Sequence, residues 1–146
     1  MGHAGEKLVF EYECERLNKA GRADLSARVR WHTQNCEFPG WEITSYDTNG
    51  NEMFIEVKSS AGKLISCVDL TVNEWEAACD AARQNSYYLY IVTEALSATP
   101  RIERLHNPAS YVTGKMLSCE AIVYELRLSQ TDLAESTAEA ATGASN

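Results

Sequence analysis

The sequence predicts an α/β fold, a mixed sheet flanked by helices, and three observations carry that expectation. The chain opens on a helix-forming stretch, "EKLVFEYECERLNKAG"; several short apolar stretches with strand-like patterning follow; and an Ala-rich helical stretch, "VDLTVNEWEAACDAARQN", interrupts them. At 146 residues there is room for one domain with a hydrophobic core, expected over 1–128, with 129–146 as a flexible acidic tail rich in Ala, Ser and Thr.

Taken in order, the opening stretch is rich in good helix formers, places Leu8, Val9, Tyr12 and Leu17 on or near one face, and ends at Gly21. In "SARVRWHTQN", Val29 and Trp31 alternate with Arg28, Arg30 and His32, as in a half-buried strand. "WEITSYD" and "EMFIEVKSS" are strand candidates joined through Asn49-Gly50. Asn-Gly accepts the backbone angles of a hairpin turn with little strain, so the two should pair antiparallel and bring residue 42 beside residue 56. Thr71 with Glu74 three residues later has the spacing of a capping box and marks the start of the second helix. "YYLYIVTEAL" is expected to be a buried strand, "PRIERLHNP" a shorter one beside it, and "CEAIVYELRL" a last strand.

Composition excludes several classes. With 45% apolar and 23% charged residues the chain is unlike a disordered one, and no run of eighteen apolar residues is present to span a membrane. The opening residues lack the basic-then-apolar order of a secretion signal, so the chain is expected to be soluble and cytoplasmic, with no membrane partner. Five cysteines, at 14, 36, 67, 79 and 119, show no close pairing and are expected to be reduced, most of them as small core residues. His32 and Cys36 have a metal-compatible spacing, but the partners a zinc site needs are missing from the pattern. The net charge is −8, and setting aside Asp132, Glu135 and Glu139 leaves 13 basic against 18 acidic residues, a balance of −5. Such a chain gains nothing from long-range attraction to a polyanion and must rely on a local basic groove to hold one.

Chemistry is concentrated in "FIEVKSS". On a strand Ile55 and Val57 share one face, the core side, while Glu56 and Lys58 share the other. The hairpin brings Glu42 toward Glu56. A hard cation such as magnesium takes oxygen ligands and commonly only one or two carboxylates, which Glu42 and Glu56 could supply, with Lys58 placed to orient or deprotonate a water. A plain surface ion pair accounts for the Glu-x-Lys spacing equally well, except that it is the one acid-x-lysine in the chain and sits on a strongly apolar strand. Arg28, Arg30 and His32 form the candidate basic face. Trp75 and the tyrosines at 87, 88 and 90 could stack on bases, although core packing is their commoner use.

The run "GWEITSYDTNGNEMFIEVKSS", with "LTVNEWEAA", "YYLYIV" and "PRIERLHNP" and the opening "GEKLVFEYE", resembles the NO VEIN C-terminal-type domain over roughly residues 5–108. The resemblance implies a PD-(D/E)XK nuclease fold with a restriction-endonuclease-like core, a module often found at the end of large ATPases, helicases and DNA-restriction or phage-defence proteins. It implies DNA as substrate or ligand, magnesium or manganese as cofactor, and a larger assembly or a dimer as the working form. On that pattern Glu56 and Lys58 match the E-x-K, Glu42 the acid before the hairpin and Glu6 the helix acid, with Glu11 as a substitute for Glu6. The metal would rest on Glu42, Glu56 and the carbonyl of Val57. Ser59, Ser60 and Lys63 join Arg28 and Arg30 as phosphate contacts. Relatives usually carry Asp where this chain has Glu42, one methylene longer, which puts activity in question because magnesium demands near-ideal geometry.

Overall fold

The computed structural model describes residues 2–123, 126 and 127. A five-stranded mixed sheet is built from β1 (Arg30–Trp31), β2 (Ile43–Tyr46), β3 (Glu52–Ser59), β4 (Tyr87–Thr93) and β5 (Arg101–His106), adjacent in space in chain order. The β3–β4 pair is parallel and the others antiparallel. A parallel pair needs a crossover, and the segment carrying α3 (Val72–Cys79) supplies it. α1 (Gly2–Lys19), a one-turn α2 (Ala23–Ser26) and α4 (Pro108–Thr113) complete the fold. Among the described residues no helix is long and apolar enough to cross a membrane.

α1 covers one sheet face. Val9 packs with Ile43, Met53, Ile55, Val57, Tyr90 and Val92, each side chain of this kind contributing about 1.5–3 kcal/mol when fully buried. On the opposite face Ala77 and Ala78 of α3 pack on Tyr87, flanked by Trp41, Phe54 and Trp75. Glu56 and Lys58 belong to this second face, as the alternation on β3 requires.

α1 also carries a buried acid that sequence reading passed over. Glu13 is wholly buried; its carboxylate accepts from Ser45 Oγ at 2.6 Å and Tyr90 Oη at 2.8 Å, and Arg16 Nη2 lies 2.5 Å away while also bonding the carbonyl of Tyr46. One side chain thus ties α1 to β2 and β4 at once. Burial, with the Glu13 charge beside it, drives the Tyr90 phenol well above its ordinary pKa, so it stays a hydrogen-bond donor.

The hairpin forms at the expected register, Ile43 against Ile55, but its loop is a residue longer than a two-residue turn. Asp47 N–H donates to Asn51 O, the Asp47 carboxylate accepts from the amides of Asn49 and Asn51, and only Gly50 takes a positive φ, +92°. This is a three-residue connection with a glycine at its left-handed position.

Other expectations are corrected. The strand expected across "SARVRWHTQN" shrinks to Arg30–Trp31, paired with Thr44 and Ile43, because the amides of Arg28 and Val29 bond back to Leu25 and Ser26 in the turn after α2 and a 3-10 turn begins at Thr33. Residues 119–123 of "CEAIVYELRL" form no strand and are exposed, the chain having left the sheet through α4; the rest of that expectation falls partly outside the described residues. α4 was missed although Asn107 and Pro108 are N-cap and first-turn residues; the Asn107 side chain accepts from Ser110 N–H. The cysteines are free thiols but not core: Cys14 is half-buried and Cys36, Cys67, Cys79 and Cys119 are exposed. The tail expected at 129–146 lies outside the described residues.

Candidate active site

The site forms where β2 stops and β3 continues. Glu42 stands one residue before β2 and opposite Glu56, and its backbone extends the pairing, with Glu42 N–H to Ile55 O at 2.9 Å and His32 N–H to Glu42 O at 2.8 Å. Beyond it β3 has no strand on that side. The Glu42 side chain takes the place of the missing strand, its Oε2 accepting from Val57 N–H at 3.1 Å. In extended backbone the N–H and C=O of one residue point to the same side, so the Val57 carbonyl faces Glu42 too.

Glu56 is 0% exposed. Lys58 Nζ stands 2.9 Å from its Oε1 as a charge-assisted contact, and Oε2 has no hydrogen-bond partner among the described residues. A wholly buried carboxylate in that condition is exceptional, because each unsatisfied charged oxygen costs more than a neutral one. The same ammonium reaches Glu74 Oε2 at 3.0 Å. Glu74 heads α3: it forms a capping box with Thr71, accepting from Thr71 N–H at 2.9 Å and donating its own amide to Thr71 Oγ1. Sequence reading saw the cap and missed the contact to Lys58.

Two glycines allow this crowding. At Gly5 of α1 a Cβ would fall 2.4 Å from Ser59 Cβ, so only glycine lets the helix approach the end of β3. At Gly40, with φ of +107°, a Cβ would meet the Asn73 carbonyl at 2.9 Å and Ala77 Cβ at 2.8 Å, so the segment leading into Glu42 lies directly on α3. Tyr87 Oη donates to the Gly40 carbonyl at 2.8 Å and holds that segment in place.

Electrostatics follow from the packing. Burial, then the charges of Glu56 and Glu6, push the Glu42 carboxyl up to about 9. Burial raises Glu56 to about 7 against the opposing pull of Lys58. For Lys58 burial works against the charge, but Glu56 and Glu74 more than offset it, and its pKa lies above the ordinary lysine value. As held here Lys58 is a cation and a donor, better suited to orienting water or meeting phosphate charge than to removing a proton.

Glu6 is buried on α1, accepts from Trp31 Nε1 at 2.8 Å, and acts on Glu42 and Glu56 through its charge. Its proposed substitute, Glu11, is exposed and faces Lys7. The phosphate-contact candidates are scattered. Arg28, with its guanidinium 4.6 Å over the Tyr46 ring, and Arg30, paired with Glu37, line an open groove of about 610 Å³ with His32, Trp41, Thr44 and Phe54. His32 is no exposed cation there: it is buried, with Nδ1 2.7 Å from Glu37 and Nε2 2.7 Å from Thr44 Oγ1. Ser59 and Ser60 line a separate cleft of about 460 Å³ with Lys58, and Lys63 is exposed in the loop beyond. Tyr87 and Tyr90 are buried, while Tyr88 and Trp75 are half-buried.

Among the described residues no group of three or more His, Cys, Asp or Glu side chains is arranged to hold a metal, and this applies to Glu6, Glu42 and Glu56 as much as to His32 and Cys36. The donors facing one another are all oxygen, two carboxylates and one backbone carbonyl, and Glu56 Oε2 has no hydrogen-bond partner among the described residues. That set suits a hard cation that keeps several waters better than zinc, which favours Cys and His ligands.

Mixed sheet, hairpin and buried Glu-x-Lys together define an α/β domain with an acidic, lysine-bearing site at a strand end. Residues 5–105 match the family model described as "Protein NO VEIN, C-terminal", and the chain belongs to that family. Comparison with curated proteins and with solved structures finds no match.

Proposed function

We propose that the domain hydrolyses DNA phosphodiesters in a metal-dependent reaction, as a nuclease of the PD-(D/E)XK type with a restriction-endonuclease-like core. The observation behind this reading is the wholly buried Glu56 carboxylate, with Oε2 lacking a hydrogen-bond partner among the described residues, set opposite Glu42 and beside Lys58. Glu42, Glu56 and the Val57 carbonyl would hold magnesium or manganese, which when bound neutralises phosphate charge and lowers the pKa of a coordinated water. Lys58 donates to that water or to a phosphate oxygen and holds it in line. Glu6 offers a third carboxylate at the rim, for a second cation or a water. Arg28 and Arg30 on the open sheet face, and Ser59, Ser60 and Lys63 beyond Lys58, would meet the DNA backbone. The restriction or phage-defence setting, a larger ATPase or helicase assembly or a dimer as working form, and a cytoplasmic location belong to this same reading.

The test is cleavage of plasmid and linear DNA by the purified chain with magnesium or manganese, against chelator. Lys58→Ala is expected to lower the rate at least about a hundredfold. Full activity of Lys58→Ala would remove the proposed site.

One observation favours a second reading, a module of this fold that binds nucleic acid or a partner subunit without cutting. Glu42 is already engaged with the Val57 amide and is one methylene longer than the Asp usual in the resemblance. Calorimetry separates the two: no uptake of magnesium or manganese at millimolar concentration by the folded chain would favour the binding module.

A further inference from the structure

Lys58 has three N–H donors and a long, flexible stem, so its position depends on what its ammonium touches. Two carboxylates do so, Glu56 Oε1 at 2.9 Å and Glu74 Oε2 at 3.0 Å. They differ in how firmly they are set. Glu74 is held by the fold: its Oε2 also accepts from Thr71 N–H, and α3 lies on the Gly40 segment closely enough to exclude a Cβ. Glu56 is the group expected to weaken its hold on Lys58, because its unpartnered Oε2 is the oxygen open to a doubly charged cation, which would then share one carboxylate with the ammonium 2.9 Å from Oε1. Repulsion between the two cations would loosen the Lys58–Glu56 contact and leave Glu74 as the firmer partner.

We propose that Glu74 is the positioning residue for Lys58, the fixed counter-ion that keeps the ammonium at the site when Glu56 is given over to a cation. The proposal rests on the nuclease reading above and gives the "LTVNEW" stretch a role that reading left unused. It also couples the two halves of the site, since α3 touches the segment before Glu42 through Gly40 and the lysine through Glu74.

Glu74→Gln is the informative variant, because glutamine serves a capping box as well as glutamate and the helix start survives while the charge is lost. An unchanged melting temperature checks this. The first readout needs no cation: hydrogen exchange of the Lys58 ammonium by NMR, assigned by its loss in Lys58→Met. Exchange at least about fivefold faster in Glu74→Gln is expected, as for the loss of an ion pair worth about 1 kcal/mol. The second readout is cleavage with magnesium, where kcat should fall roughly ten- to a hundredfold with KM unchanged. Exchange identical to the wild type, or an unaltered kcat in an active wild type, overturns the proposal. If the wild type cuts no DNA the nuclease reading fails, and the exchange measurement still decides whether Glu74 holds Lys58.

Discussion

The Glu42 carboxylate accepts a hydrogen bond from the Val57 amide at 3.1 Å and so ends the β2–β3 pairing with a side chain where a strand would otherwise continue. The same contact fixes the separation of two acids that would have to bind one cation. Glutamine in place of Glu42 can accept the same hydrogen bond, so Glu42→Gln is expected to fold normally and to lose divalent-cation affinity by at least about tenfold in calorimetry. Retained affinity would show that Glu42 is a strand terminator only.

Stability should depend on pH in a recognisable direction. Glu42 and Glu56 have folded-state values of about 9 and about 7, above the ordinary glutamate value of 4.5, so the folded state binds more protons than the unfolded one across that window. Their contribution is fully present below about pH 4.5 and is lost as pH rises through the folded values. Without divalent cations the urea midpoint is expected to fall between about pH 5 and about pH 9, and Glu56→Gln should flatten the fall. Manganese should raise the midpoint most at the alkaline end. A midpoint that rises over this range would contradict the assignment.

Gly5→Ala reverses the usual sign for a helix. Alanine normally stabilises a helix interior by about 1 kcal/mol over glycine, but here its Cβ would stand 2.4 Å from Ser59 Cβ. The expected result is a net loss of about 1–3 kcal/mol in chemical denaturation, with Glu6 moved away from the other acids. A stabilised variant would mean that α1 is not pressed against the end of β3.

Glu13 should matter to stability without touching chemistry. Its carboxylate holds Ser45, Tyr90 and Arg16 together. Glu13→Ala leaves those donors without their acceptor and is expected to cost about 3 kcal/mol or more in denaturant unfolding. Its cation affinity, measured well below the melting temperature, should match the wild type.

The legible part of this molecule was local. Asn49-Gly50 between two alternating stretches was enough to set Glu42 against Glu56, and Thr71 with Glu74 was enough to start α3. Illegible features depend on what lies across space. Val29 and Trp31 alternate with arginines as a strand would, yet the amides of Arg28 and Val29 are taken by the turn after α2 and a 3-10 turn begins at Thr33, so two residues are left to pair with β2. Glu13 has the local pattern of any helix-surface acid, and only the approach of β2 and β4 makes it a buried hub. Glu74 was read correctly as a cap, but its second contact belongs to a residue sixteen positions earlier.

The outer strand β5 places Arg101, Glu103, Arg104 and His106 in solvent, and the opposite margin of the sheet, β1, is two residues long. Charged or truncated margins resist the addition of foreign β-structure. Neither margin offers a long apolar edge to a foreign strand, and crowding the domain beside copies of itself should not seed fibrils from its rims.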